Sequence, residues 1–158
     1  MMKKLYRPNV AAIIRSQSGL LFLGQRSDYR ESWQFPQGGV DRGETDEEAL
    51  RREVQEEVGM TPEVYTIVAR RGPYVYEFPG GAMRRGFHGQ RQVYFLCQLS
   101  SPGLPILDLS GTCGEFVELR WVEPVDFPLD LVPPMKQAVY RQVLRDFFPP
   151  PEEVGPDK

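Results

Sequence analysis

Three glutamates lie close together in the acidic stretch 38–60, and their spacing could serve a metal ion. Glu56 and Glu57 follow Glu53 by three and four positions, so on a helix the three side chains project from one face. Carboxylates gathered this closely repel each other, and such crowding either raises a pKa or binds a cation. Hard divalent ions such as Mg²⁺ take oxygen ligands, commonly carboxylates together with substrate phosphates and water.

The same stretch also has a purely structural interpretation. Glu47 with Arg51, and Glu48 with Arg52, have the spacing of stabilising ion pairs between successive helical turns. Helices rich in Glu and Arg are often solvated surfaces, and the acidic composition alone favours this interpretation. The three glutamates named above, however, have no Lys or Arg four residues downstream. That surplus of negative charge on one face favours metal binding.

Local signals predict that this stretch contains a helix. Thr45 followed three positions later by Glu48 is a capping-box signature. Gly59 is expected to end the helix, because glycine readily adopts the left-handed conformation found just after a helix. Apolar residues recur at every fourth position and predict a buried stripe, formed by Leu50, Val54 and Val58.

The stretch resembles the Nudix box at every fixed position. Gly38 is followed after five residues by Glu44 and after seven more by "REVQEEVGM", residues 52–60. The resemblance implies a Nudix hydrolase, which cleaves a diphosphate linked to another moiety with the help of Mg²⁺ or Mn²⁺, two or more ions with substrate bound. It also implies an α/β fold in which a mixed β-sheet is sandwiched between helices (α/β/α), with the box as a loop–helix–loop.

The resemblance further implies roles for the box residues. Glu53, Glu56 and Glu57 would be metal ligands, and Arg52 and Glu44 would brace them. Divalent ions would neutralise the polyphosphate and lower the pKa of a bound water, and a glutamate would take the proton from that water. Glu53 is favoured as this base over Glu57, although the sequence does not separate ligand from base.

The flanking segments are similar to the branch of the family that contains bacterial RNA pyrophosphohydrolases and dinucleoside-polyphosphate hydrolases. The likeness runs from Tyr6 to about Phe148 and rests on "YRPNV", "SWQFPQGG", "GQRQVYFLCQL", "EFVELRWV" and "KQAVYRQVLRDF". It implies a further metal ligand at Glu115, which the residues alone would place as an exposed loop carboxylate. The implied substrate-binding residues are Arg7, Arg26, Ser32, Gln37, Gly38 and Lys136. Four of these also fit ordinary surface polar residues, namely Arg7, Arg26, Ser32 and Lys136.

The sequence also departs from the pattern of this branch. The loop before Ser32 is one residue longer than expected, and Met135 precedes Lys136 where an aromatic residue is expected. The second departure puts the base preference in doubt. A basic C-terminal extension is absent, so RNA would be held by the site, its metals and nearby arginines, which are Arg84, Arg85 and Arg91. These arginines could instead form a solvated loop.

Three functions therefore stay open. The favoured one is removal of pyrophosphate from the 5′-triphosphate end of RNA to leave a 5′-monophosphate, a step that promotes RNA decay. The second is hydrolysis of dinucleoside polyphosphates of the Ap4A type. The third is a catalytically silent Nudix module that only binds nucleotides or RNA, disfavoured because the box keeps all its glutamates. His88, the only histidine, is assigned no catalytic part.

Composition limits the class of protein. The chain has 158 residues and a net charge of −3, which predicts one domain, residues 1–148, with a flexible tail at 149–158, and argues against a generic basic nucleic-acid binder. The two cysteines lack CxxC spacing, so neither a disulfide framework nor a zinc site is expected. With no signal peptide or membrane-spanning stretch, a cytoplasmic protein with no membrane partner is expected. A homodimer is left open.

The order of predicted elements agrees with the implied fold. Strands are predicted at residues 9–16, 19–27, 63–71, 74–79, 91–99 and 115–124, and the box helix lies between the second and third of these. A second helix is predicted from Met135, with Ala138, Val139, Leu144 and Phe148 near helical spacing. This order indicates a mixed sheet with helices on its faces.

Overall fold

A mixed sheet forms the centre of the fold in the computed structural model, which describes residues 3–28 and 32–150. Its strands are β1 (Tyr6–Arg15), β2 (Leu21–Arg26), β3 (Trp33–Gln34), β4 (Gln37–Gly39), β5 (Tyr65–Glu77), β6 (Gly89–Leu99) and β7 (Phe116–Val122). The spatial order is β3-β2-β1-β6-β5, with β4 paired to β1 and β7 paired to β2. β1 and β6 run parallel, and the other pairs are antiparallel.

One helix covers each face of this sheet. Along β1, Val10, Ala12 and Ile14 pack on one side of the sheet, and Ala11 and Ile13 pack on the other. The first side is covered by helix α1 (Asp46–Val58) and the second by helix α2 (Gln137–Phe147). The buried residues of the helices are, for α1, Ala49, Leu50, Val54, Glu57 and Val58, and for α2, Val139, Tyr140 and Val143. The predicted α/β/α arrangement is confirmed.

Helix α1 begins and ends where its sequence predicts. The Thr45 hydroxyl accepts a hydrogen bond from the Glu48 backbone N–H at 3.1 Å, as a capping box requires. Gly59 adopts a left-handed conformation with φ of 79° and donates its N–H to the carbonyl of Gln55. The predicted apolar stripe is buried against the sheet. The helix therefore presents its acidic residues at a fixed rotation relative to β4.

Three predictions about the elements need correction. Residues 63–71 and 74–79 were predicted as two strands, but β5 is one strand whose pairing with β6 continues past a register shift between Arg71 and Tyr74. Ala138 is exposed on α2 rather than buried. The short strands β3 and β4 were predicted only as a loop with a structured end, because two or three residues are too few to show periodicity.

Several predictions about the chain as a whole can also be compared with the structure. Cys97 is buried, Cys113 is exposed, and both are free. Of the helices described, none has both the length and the apolar character needed to cross a membrane. The longer loop before Ser32 falls partly on residues 29–31, and the predicted tail falls largely on residues 151–158, so both lie outside the described residues. The one-domain division stays a prediction.

Candidate active site

The site is built where β4 lies against helix α1. β4 pairs with β1, bringing Gly38 opposite Val10 and Gly39 opposite Asn9. A Cβ on Gly38 would lie 1.9 Å from the side-chain carboxyl carbon of Glu53. A Cβ on Gly39 would lie 2.2 Å from the guanidinium of Arg7. A side chain at either position would therefore force the end of Glu53 or Arg7 to move, and the glycines let the Glu53 carboxylate lie directly beside the strand.

Arg52 connects the carboxylates of this site to the loop that follows β4. Its guanidinium donates two hydrogen bonds to Glu44, at 2.7 and 2.9 Å, and one to Glu53 at 2.8 Å. It also donates to the Gly39 carbonyl at 2.9 Å and to Glu56 at 3.3 Å. The hydrogen bonds from Arg52, followed by one from the Asp41 N–H, lower the pKa of Glu44 to about 2. Arg52 thus holds Glu44 and Glu53 in fixed orientations.

The ion pairs suggested by the structural interpretation are not the ones that form. Arg52 points to Glu44 and Glu53 rather than to Glu48. Arg51 lies over the Tyr65 ring, 5.8 Å from its centroid, rather than against Glu47. Glu53 and Glu56 have no Lys or Arg four residues downstream, but Arg52, which precedes both of them, pairs with each.

Glu57 is the most unusual carboxylate of the site. Its side chain is 0% exposed. One carboxylate oxygen accepts the Gln37 N–H at 3.2 Å, and the other has no hydrogen-bond partner among the described residues. Burial, followed by the neighbouring carboxylates of Glu115 and Glu53, raises the pKa of Glu57 far above its usual range. A buried oxygen without a partner is costly, so a cation would satisfy this position.

Glu53 and Glu56 complete the acidic face of helix α1. Burial raises the pKa of Glu53, and the Arg52 guanidinium acts in the opposite direction. The Glu56 side chain is about half exposed, at 49%. Glu115 immediately precedes β7, and its charge acts on both Glu53 and Glu57. The structure thus brings together all the carboxylates that the sequence proposed as metal ligands.

The residue types of this cluster fit a hard divalent ion, although the carboxylates are not yet arranged to coordinate one. Among residues 3–28 and 32–150, no group of three or more acidic, histidine or cysteine side chains is already arranged to hold an ion. Arg52 engages Glu53 and Glu56. Carboxylate oxygens are nevertheless the donors that Mg²⁺ and Mn²⁺ prefer, and the unpartnered oxygen of Glu57 provides a free donor.

A basic cleft borders the acidic cluster. Its lining includes four residues proposed from the sequence as substrate-binding, Arg7, Arg26, Gln37 and Lys136, and two proposed to hold RNA, Arg84 and Arg85. A second, adjacent cleft shares Arg26 and Arg84 and adds Ser32. Arg91 lines neither cleft. Gly38 instead contacts Glu53.

Lys136 is buried, although its sequence context also fitted a surface residue. Only 1% of it is exposed, and its ammonium donates to the side-chain oxygen of Gln34 at 3.0 Å. It also lies over the Tyr76 ring, 5.7 Å from the centroid. Burial, followed by the charge of Arg26, lowers the pKa of Lys136 to about 7. A lysine held this way is costly to bury without a full counter-charge.

Sequence reasoning missed the aromatic wall of the basic cleft. Tyr76, Phe78 and Phe87 line it together with Gln90. The alternation in "YVYEFP" could have suggested that Tyr76 faces inward, but nothing local indicated which site it would face. His88 has a structural position, since its ring Nδ1 accepts the Leu5 backbone N–H at 3.0 Å and its backbone N–H donates to the Leu5 carbonyl at 2.7 Å.

Comparisons with known proteins agree with this geometry. The NUDIX domain family model matches residues 5–147. Relatives named RNA pyrophosphohydrolase include one from Novosphingobium aromaticivorans, 39% identical over 90% of this chain and 92% of its own length, and one from Hahella chejuensis, 41% identical over 91% of each chain. A third, from Helicobacter pylori, is 40% identical over 93% of this chain and 96% of its own.

Two solved structures are similar to this chain in fold. The E. coli dihydroneopterin triphosphate pyrophosphohydrolase has a TM-score of 0.70 at 22% identity and covers 91% of this chain and 97% of its own. A C. elegans Ap4A hydrolase has a TM-score of 0.66 at 26% identity, and the match covers 89% of this chain and 94% of the hydrolase. The fold, the intact box and the relatives lead to one assignment: the chain belongs to the NUDIX domain family.

Proposed function

We propose that this protein is a metal-dependent pyrophosphohydrolase that removes pyrophosphate from the 5′-triphosphate end of RNA and leaves a 5′-monophosphate. The observation that carries this proposal is the position of the basic cleft directly beside the acidic cluster. Gln37 joins the two, because its N–H bonds Glu57 and its side chain lines the cleft. The relatives named RNA pyrophosphohydrolase, about 40% identical over nine-tenths of the chain, support the same substrate.

The acidic cluster would hold the divalent ions. We assign Glu53, Glu56, Glu57 and Glu115 as the ligands of Mg²⁺ or Mn²⁺, with two or more ions present when substrate is bound. Nudix hydrolases generally use divalent metal ions, and when bound here these would neutralise the polyphosphate and acidify water. The donor types and the unpartnered oxygen of Glu57 support the assignment.

The chain's own residues would orient the carboxylates and move the proton. Arg52 and Glu44 form a fixed pair that sets the direction of Glu53. We assign Glu53 as the general base, because its side chain is 14% exposed and can meet a water, whereas Glu57 is fully buried. The tight packing of Gly38 on Glu53 leaves no space for another side chain on that side.

The basic cleft would bind the RNA end. Arg7, Arg26 and Lys136 bring positive charge to the position where the phosphates must lie. Both cysteines are free, which suits a reducing, cytoplasmic compartment. The net charge of −3 does not oppose RNA binding, because the positive charge is local.

A second candidate is hydrolysis of dinucleoside polyphosphates. The fold similarity to a C. elegans Ap4A hydrolase, at 26% identity and a TM-score of 0.66, favours it. The same cleft and carboxylates would serve both substrates, since each is a polyphosphate attached to a nucleoside.

A parallel assay separates the candidates. Triphosphorylated RNA and diadenosine tetraphosphate are offered under identical conditions, with Mg²⁺ and with EDTA, and kcat/KM is compared. We expect a higher value for RNA, with pyrophosphate as the product and no turnover in EDTA. A higher value for diadenosine tetraphosphate would select the second candidate. Binding of either substrate without turnover in Mg²⁺ or Mn²⁺ would indicate a silent module.

A further inference from the structure

A chain of buried amides connects the sheet interior to the cleft. Gln92 is 0% exposed and Asn9 is 2% exposed. The amide nitrogen of Gln92 donates to the side-chain oxygens of Asn9, at 2.9 Å, and of Gln37, at 2.7 Å. The Tyr94 hydroxyl donates to the side-chain oxygen of Gln92 at 3.2 Å. Gln92 is therefore the centre of a small hydrogen-bonded network beside the apolar cluster that helix α2 covers.

The strand register explains how this network forms. Asn9 on β1 lies directly opposite Gln92 on β6, and Gln37 on β4 lies on the other side of β1, opposite Ala11. Gln92 points to the same face as Tyr94, which is the face covered by helix α2. An apolar residue would fill this position without a hydrogen-bonding requirement, so the amide is a costly choice for packing alone.

Gln37 is held at both ends by this arrangement. Its backbone N–H bonds Glu57 at 3.2 Å, on the side of helix α1. Its side-chain oxygen accepts from Gln92, on the side of helix α2. Because the oxygen is occupied, the amide nitrogen of Gln37 is the end left for the cleft, and within the described residues it donates to no protein acceptor. An N–H donor beside Arg7 and Lys136 suits an anionic phosphate oxygen.

We propose that Gln92 is a positioning residue for hydrolysis: it holds the Gln37 carboxamide so that its N–H groups face the phosphates of the substrate. The same hold keeps the Gln37 backbone in register with Glu57. Gln92 acts only through Gln37 and contacts no substrate. This inference rests on the proposed function, since it requires a polyphosphate in the cleft.

The test uses a matched pair of variants on strand β6. Gln92→Met removes the amide while keeping a side chain of similar length. Gln98→Met makes the same change six residues further along the same face, where Gln98 exchanges hydrogen bonds with Arg15, at 2.7 and 3.2 Å, away from the cleft. Both are combined with Gln37→Ala, and kcat and KM are measured with triphosphorylated RNA.

We expect Gln92→Met to lower kcat/KM by about 10- to 100-fold, as loss of an orienting partner does, and Gln98→Met to leave it unchanged. In the Gln37→Ala background, Gln92→Met should cause no further loss, because the residue through which it acts is gone. Equal effects of the two methionine variants, or losses that multiply with Gln37→Ala, would overturn the inference. Wild-type protein inactive on RNA would instead refute the proposed function, and this inference with it.

A second variant covers the case in which Gln92→Met does not fold. Gln92→Glu keeps the shape but offers at most one donor to two acceptor oxygens, and none once it ionises. We expect its kcat/KM, relative to wild type, to fall as pH rises. A ratio near one at every pH would overturn the inference, because the hydrogen bond to Gln37 would then have no effect on turnover.

Discussion

Replacing the buried Lys136 should stabilise the protein while reducing its activity. The ammonium is 1% exposed, and burial lowers its pKa from 10.5 to about 7. One pKa unit corresponds to about 1.4 kcal/mol, so holding the charged lysine costs roughly 5 kcal/mol below pH 7. Loss of its hydrogen bond to Gln34 reduces the stability gained by removing this charge by about 1.5–3 kcal/mol. Lys136→Met is therefore expected to gain about 2–3 kcal/mol of unfolding free energy at pH 6.

The pH dependence follows from the direction of the pKa change. The folded pKa of Lys136 lies below its unfolded value, so the cost is fully present below pH 7 and disappears as pH rises to 10.5. The advantage of Lys136→Met should therefore shrink over this range and reverse near its upper end, where only the lost Gln34 hydrogen bond remains.

Urea unfolding in EDTA, followed by circular dichroism at pH 6 and pH 10, measures this difference. Lys4→Met is the matched control, because Lys4 is 57% exposed and bonds Glu77 at the surface; it should show little stability change. The kcat/KM of Lys136→Met on triphosphorylated RNA should fall, since a charge beside the phosphates is lost. A Lys136→Met variant less stable than wild type at pH 6, by the same margin as at pH 10, would refute the reasoning.

Two further substitutions test the packing and the hydrogen bonds of the site. Gly38→Ala places a methyl group 1.9 Å from the Glu53 carboxyl carbon, so turnover should fall sharply with a loss of about 1–3 kcal/mol of stability. Gly111→Ala is the control, because its methyl group meets no atom within 4 Å. Equal kcat values for the two variants would contradict the packing argument. Arg52→Lys keeps the charge but cannot reproduce the forked bonds to Glu44 and Glu53, so kcat should fall about 10- to 100-fold. Arg51→Lys should retain full activity, and similar kcat values for the two lysine variants would show that the fork is not needed.

The local part of the site could be predicted from the sequence. Helix α1 follows its signals closely because a cap, a stripe and a terminating glycine act within a few residues, as Thr45 and Gly59 show. The resemblance then identified carboxylates that helical spacing alone would have left as a solvated surface, including the distant Glu115.

Contacts between distant segments were not predictable in the same way. The sequence suggested that Arg52 pairs with Glu48, but the loop after β4 brings Glu44 within 2.7 Å of it. Likewise, Lys136 fits a surface residue in the sequence, but it is buried against Tyr76 of β5 and Gln34. Gln92 is buried because β6 lies between β1 and β5. Such burial depends on sheet order, which no local pattern contains.

Magnesium-dependent release of pyrophosphate from triphosphorylated RNA by Glu57→Gln, compared with wild type, tests the central claim most directly. The substitution keeps the shape of a side chain buried between Gln37 and Glu115, so the circular dichroism spectrum should be unchanged. If the acidic cluster holds the metal ions, the rate should fall by at least about 100-fold at saturating Mg²⁺. A folded Glu57→Gln protein that releases pyrophosphate at a near wild-type rate, with the same Mg²⁺ dependence, would contradict the account.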